Sequence, residues 1–150
     1  YKELLKGKGR ILGVLCRGTD YVRLCPKGHP VQPDTSVVIE KAKRVMEEFK
    51  CNFIYLATED YNVEILFRKK LGNKVIVNKR VYKRYLDGYL ANTLNEREND
   101  RYNTNLEYLS SLSLLSKCDC LIAGRTSGTV VTMLMNQAYD YTFFWDLGVY

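Results

Sequence analysis

Arg10-Ile11-Leu12-Gly13-Val14-Leu15-Cys16-Arg17-Gly18-Thr19-Asp20 is the stretch that decides how this chain folds. An apolar run of strand length halts at Arg-Gly-Thr-Asp. Such a run, bounded by turn residues, suits a strand covered on both faces, as in a parallel sheet. Arg17 then leaves the strand at its C-terminal end, where open α/β sheets place their ligands. A guanidinium offers a rigid fork of donors suited to phosphate, and Gly18 lets backbone approach closely. Asp20 is the best-placed carboxylate, either as part of a binding site or as a surface partner that holds Arg17.

Outward from this strand, elements alternate. Tyr21 to Pro33 holds all the prolines and Gly28 and reads as a long loop. Asp34 or Thr35 caps a helix carrying Val37, Val38, Lys41, Val45 and Phe49 at a period near 3.6. Phe53–Ala57 reads as a second buried strand, Tyr61–Leu71 as a helix stopped by Gly72-Asn73, and Lys74–Val77 as a third strand. Asn78 to Asp100 is polar and loop-like. Leu106, Leu109, Leu112 and Leu115 pattern a helix ending near Lys117, before a fourth strand at Asp119–Ala123. Gly124 to Thr129 turns into a helix through Met135, and Tyr139–Trp145 reads as the last strand. Alternation of this kind implies right-handed crossovers. We therefore expect an α/β, Rossmann-like parallel sheet with helices on both faces, in order 3-2-1-4-5, as a single domain over residues 1–150. The switch point then falls between the first and fourth strands.

Composition narrows the classes. With 150 residues, 46% hydrophobic and 27% charged, the chain is long enough for a real core and ordinary for a globular protein. No stretch reads as a membrane span or a signal peptide. The chain begins at Tyr1, close to the first strand, so we expect a piece of a longer polypeptide. A net charge of +6 and basic stretches at Arg68–Lys70 and Lys79–Arg84, among twelve tyrosines, suit a nucleoside-diphosphate ligand; solvated surface is favoured over a nucleic-acid interface. Five cysteines (Cys16, Cys25, Cys51, Cys118, Cys120) form no zinc pattern and point to a reducing, cytoplasmic setting, with membrane-peripheral attachment still open. Cys118 and Cys120 are expected on one face of a strand, as packing.

The chemistry gathers at two strand ends. Thr126-Ser127-Gly128-Thr129 at a helix start resembles an anion cradle of backbone N–H groups, hydroxyls and the positive dipole end. A plain N-cap by Thr126 or Ser127 fits the same residues. Neither a P-loop nor a dinucleotide fingerprint is present. Glu59 and Asp60 close the second strand, where acids contact ribose hydroxyls or a base edge, or where Asp60 caps the next helix. His29, the lone histidine, lies in the proline-rich loop and is a candidate to orient a phosphate.

These motifs, taken in order, resemble a known family. Leu15-Cys16-Arg17-Gly18-Thr19-Asp20 resembles the His-x-Arg-Arg/Gly-Thr/Asp-Asp segment of the α-1,6-fucosyltransferase and protein O-fucosyltransferase superfamily. Gly28-His29-Pro30 is similar to its His-Pro, and Ile54–Asp60 to its Tyr-Leu-Ala-Thr-Asp-Asp. Leu114–Ile122 running into Thr126-Ser127-Gly128 looks like its Leu-Ser-x-x-Asp-x-Leu-Val…Ser-Ser. The pattern differs at Leu15 (His in the family), at Gly18 (Arg in part of it) and at Ser111 (acidic in the family).

The resemblance implies the C-terminal, donor-binding lobe of a metal-independent, inverting GT-B glycosyltransferase. Its donor would be a nucleotide-diphosphate sugar, GDP-fucose first, and its glycan acceptor would be held by a second lobe, in surface polysaccharide synthesis. Arg17 would be the catalytic residue, holding the β-phosphate as charge develops. Thr126 and Ser127 would assist at the phosphates, and Glu59 and Asp60 would lie near ribose or sugar. A non-catalytic nucleotide- or phosphate-binding module is the alternative. A nucleic-acid partner is not expected.

Overall fold

A computed structural model describes residues 3–82 and 97–150, with Asp20 described by its backbone alone. Ile11–Leu15 forms β1, every residue of it buried, as an apolar run with no polar alternation requires. It pairs in parallel with β2 (Phe53–Ala57) on one side and with β4 (Cys120–Gly124) on the other. Val75–Ile76 (β3) and Tyr141–Trp145 (β5) complete a five-stranded parallel sheet in the order β3-β2-β1-β4-β5. The register sets Leu15 level with Ala57 and Ala123. The residues just past all three therefore emerge on one rim.

Helices cover both faces. α2 (Thr35–Glu48) and α3 (Tyr61–Leu71) pack on the side of Leu12, Val14, Ile54, Leu56 and Ile122. α4 (Asp100–Leu115) covers the opposite side, against Ile11, Leu15, Tyr55 and Leu121, with α5 (Ser127–Met135) beside it. Each fully buried Leu or Ile contributes about 1.5–3 kcal/mol, so the alternating faces of three central strands dominate the stability. Asp34 caps α2 by accepting from the Ser36 amide at 2.7 Å. No helix among the described residues is long and apolar enough to cross a membrane.

Several sequence expectations need correcting. Thr19–Leu24 is a short helix, α1, where a loop from Tyr21 is expected; Pro26 stops it just after Cys25 turns left-handed at φ 43°. Val37 is exposed, and α2 buries Ile39, Ala42 and Met46 alongside Val38 and Val45. α4 begins six residues earlier than its leucines suggest, and its inner face is different. Leu106 and Leu109 are exposed, whereas Glu107, Ser111, Leu112, Leu114 and Leu115 are buried. The helix turns that way because Ser111 and the Glu107 carbonyl hydrogen-bond Asn78, which also takes the Tyr55 hydroxyl at 2.9 Å. Residues 83–96, including Lys83 and Arg84 of the second basic stretch, lie outside the described residues.

Cys118 and Cys120 do not share a face. Cys118 precedes β4, in the turn where its amide donates to the Leu115 carbonyl, and it faces the α4 layer. Cys120 faces the α2 layer, its Sγ 3.9 Å from that of Cys51. All five cysteines are free thiols, and Cys25 is the exposed one. Burial pushes Cys16 up to about 12, helped by the charge of Glu59, and pushes Cys51 up to about 12 as well. Burial raises Cys118 and Cys120 in the same direction. A raised pKa empties the thiolate, the reactive form, at pH 8. Native protein is thus expected to release one equivalent of chromophore quickly from a disulfide reagent, from Cys25. The other four should react only after denaturant is added.

Candidate functional site

Arg17 stands two residues past the end of β1. Its Nε lies 3.3 Å from Glu59 Oε1, and its guanidinium rests on the face of Tyr21, 4.6 Å from the ring centre. Glu59, at the equivalent end of β2, is buried. Its Oε1, ion-paired with Arg17, accepts hydrogen bonds from the Gly18 amide at 2.9 Å and the Thr19 hydroxyl at 3.2 Å. Asp60 is the N-cap of α3, accepting from the Asn62 amide at 2.8 Å, while its other oxygen accepts from the Thr19 amide at 3.1 Å. The helix-capping reading of Asp60 is therefore realised, and both acids fasten the turn that presents Arg17.

That turn is strained. Thr19 is β-branched yet sits at φ 40°, a conformation that L-residues with branched Cβ rarely adopt. Such a residue costs on the order of 1–3 kcal/mol and persists where its surroundings over-determine it. Glu59 and Asp60 do so here through the Thr19 hydroxyl and amide. Gly18 is needed for a different reason: a Cβ there would lie 2.5 Å from Asp60 Oδ2 and 2.8 Å from Asp60 Cβ. Asp60 is held at both oxygens and cannot move away cheaply. Gly18→Ala is expected to cost about 2 kcal/mol through overpacking and lower the melting temperature by about 4–8 °C, read by thermal denaturation.

The start of α5 lies on the same rim. Thr126 is its N-cap, accepting from the Thr129 amide at 3.1 Å, so the capping reading holds for it. Ser127 is exposed, and Gly128 is buried against Tyr108, whose hydroxyl would lie 2.7 Å from a Cβ at that position. Burial raises the Tyr108 phenol above its ordinary value, opposed by the charge of Arg17 and by a hydrogen bond with Ser127; Tyr21 and Glu59 push it up further. Tyr108 thus lines the cleft together with Arg17 and Glu59 and packs against Gly128 at the entrance of α5. Arg125 turns away, pairing with Asp146 at 2.7 Å on the surface.

His29 is exposed and packs edge-on against Tyr21, ring centres 5.4 Å apart, so it reaches Arg17 only through that ring. Its loop is tied to the chain end by the amides of Gly28, Val31 and Tyr150. The side chain of Asp20 lies outside the described residues.

Between the ends of β1 and β2 and the inner face of α4 runs a narrow cleft. Leu15, Ala57 and Leu112 form its apolar floor. Arg17, Glu59, Tyr108 and Arg80 form its rim. The space is about 30 Å³, enough for a water and far below the roughly 300–1,000 Å³ of a ligand pocket. The described residues therefore supply one wall of a site. Sequence reasoning missed Tyr108 and Arg80. Arg80 follows β3 on the same rim, and the rule that singled out Arg17 and Glu59 extends to it. Tyr108 carries no such signal, because the leucine spacing turns α4 the wrong way.

Comparison with known proteins bears on the fold. No protein-family model matches the sequence, and no curated protein matches it. Among solved structures, POFUT1 in complex with GDP-fucose superposes with a TM-score of 0.61 at 11% identity, over 99% of this chain and 45% of that one. POFUT1 in complex with GDP gives 0.61 at 10% identity, over 95% of this chain and 45% of that one. The apo form gives 0.61 at 10% identity, over 96% and 44%. The chain thus spans less than half the length of the structures it resembles, and it shares the Rossmann-like α/β architecture of the part of POFUT1 on which it superposes.

Proposed function

We propose that this chain is the donor-binding lobe of a fucosyltransferase-like glycosyltransferase that uses a nucleotide-diphosphate sugar, GDP-fucose first. The observation that carries the reading is the single rim on which Arg17 and the α5 entrance stand at the ends of the paired strands β1 and β4, with Tyr108 lining the cleft beside Arg17 and packed against Gly128. A guanidinium and a helix N-terminus at neighbouring strand ends of one rim suit a diphosphate. In sugar transfer, negative charge grows on the β-phosphate as the glycosidic bond breaks. Arg17, held by Glu59 and Tyr21, would meet that charge without rearranging, which is the condition for electrostatic stabilisation. Ser127, exposed at the start of α5, offers a hydroxyl to the same phosphates.

Because one wall cannot enclose a nucleotide, the acceptor is assigned to a second lobe, and the reaction to glycan assembly for surface polysaccharide at the cytoplasmic side of the membrane. Calorimetric titration with GDP, GDP-fucose, UDP and single-stranded RNA tests the reading. GDP and GDP-fucose are expected to bind and RNA not to compete. Absence of heat with every nucleotide would overturn it, as would salt-dependent RNA binding that survives Arg17→Ala.

A further inference from the structure

We propose that Arg80 is the second anion-binding cation of the cleft and supplies its net positive charge, an inference that rests on the nucleotide-diphosphate reading above. The charged side chains lining the cleft are Arg17, Glu59 and Arg80. Arg17 lies against Glu59 at 3.3 Å, so its charge is already matched by a buried carboxylate. Those two alone make a neutral rim, with little long-range pull on a diphosphate.

Arg80 is differently placed. Its Nη1 donates to the Thr58 carbonyl at 2.5 Å, which fixes the guanidinium at the end of β2. Its Nε is enclosed without a hydrogen-bond partner, and no carboxylate pairs with it among the described residues. On its outer side it lies over Tyr82, 5.6 Å from the ring centre, and Tyr82 spends its own hydroxyl on Glu64. A buried donor left without an acceptor is costly, and native proteins seldom leave one idle. An anionic oxygen entering beside Thr58 and Glu59 would satisfy Nε and find an uncompensated positive charge. Arg17 and Arg80, both lining the cleft, would then share one anionic group.

The test uses inorganic pyrophosphate, GDP and guanosine, titrated into the wild-type chain, Arg80→Gln and Arg80→Lys. Arg80→Gln is expected to weaken pyrophosphate and GDP about 30-fold, which is about 2 kcal/mol. Guanosine should be unaffected, and the salt dependence of binding should flatten. Arg80→Lys keeps the charge and should hold both affinities within about five-fold with the salt dependence intact, a rescue that a purely structural role would not give. Unchanged pyrophosphate and GDP binding by Arg80→Gln would overturn the inference and leave the nucleotide reading standing. An equal loss for guanosine would also overturn it. If pyrophosphate binds through Arg80 while GDP does not bind, the inference stands and the nucleotide reading falls. If the wild-type chain binds neither, both fall.

Discussion

Arg17→Ala is expected to lower the affinity for GDP at least about 100-fold while leaving the chain folded. Charge-assisted hydrogen bonds from a guanidinium to phosphate account for part of this. The rest comes from what stays behind. Without Arg17, the Glu59 carboxylate faces the cleft without the guanidinium that lies against it, and it repels the incoming diphosphate. Glu59 still accepts from the Gly18 amide and the Thr19 hydroxyl, so the turn holds its shape. The melting temperature should fall by only a few degrees, since about 1 kcal/mol corresponds to some 2–4 °C at this size. A double variant separates the two contributions. Adding Glu59→Gln to Arg17→Ala removes the repulsion but not the missing donors, so affinity should recover in part, by about ten-fold, as coupled neighbours in a mutant cycle do. An Arg17→Ala chain that binds GDP as tightly as wild type would remove Arg17 from the site.

Much of this site was legible in the sequence because strand ends are easy to read. The apolar run Ile11–Leu15 has one reading, and the residue that breaks it must emerge at the sheet's rim. The same logic placed Glu59 and Thr126. Less legible was anything that depends on the direction of a side chain across a helix. The leucines of α4 advertise one face, yet the buried polar network of Tyr55, Asn78 and Ser111 selects another, because each buried hydroxyl and amide needs a partner. That choice is what turns Tyr108 toward α5 and Ser111 toward the cleft. The two thiols of Cys118 and Cys120 were misplaced for a related reason: strand alternation applies only once the strand has begun, at Cys120. Glu59 and Asp60 show a third limit. Their type and position suggest ribose contacts or, for Asp60, a helix cap; the anchoring of the turn that holds Thr19 at positive φ is the role that spacing alone does not reveal.

Arg97→Ala is expected to be the most destabilising single change among those considered, at about 3 kcal/mol. The first two turns of α4, Asp100 to Glu107, have only Leu106 among their aliphatic side chains, and it is exposed. What fastens them is Arg97. Its Nε meets Asp100 at 2.5 Å, its Nη1 meets Glu107 at 2.6 Å, and its Nη2 donates to Thr104 at 3.1 Å. Both carboxylates are buried, Asp100 at 6% exposure and Glu107 at 7%, and ionised groups at that depth require a counter-charge. The two acids hold the guanidinium well above its ordinary pKa, through the Glu107 and then the Asp100 hydrogen bonds, so it stays charged at any working pH. Deleting it removes the guanidinium that Asp100 and Glu107 share, the case in which breaking a buried pair costs far more than forming it gains. The melting temperature should drop by about 6–12 °C. Adding Glu107→Gln should recover part of the loss, because one stranded charge is then neutral. The damage should also reach the cleft, since the same helix carries Tyr108 and Leu112. Hydrogen exchange in Arg97→Ala is therefore expected to quicken over residues 100–108 before it quickens in β1 or β4. A melting temperature equal to that of wild type would mean that the acids are held by something other than Arg97, and the account of why α4 starts at Asp100 would be wrong.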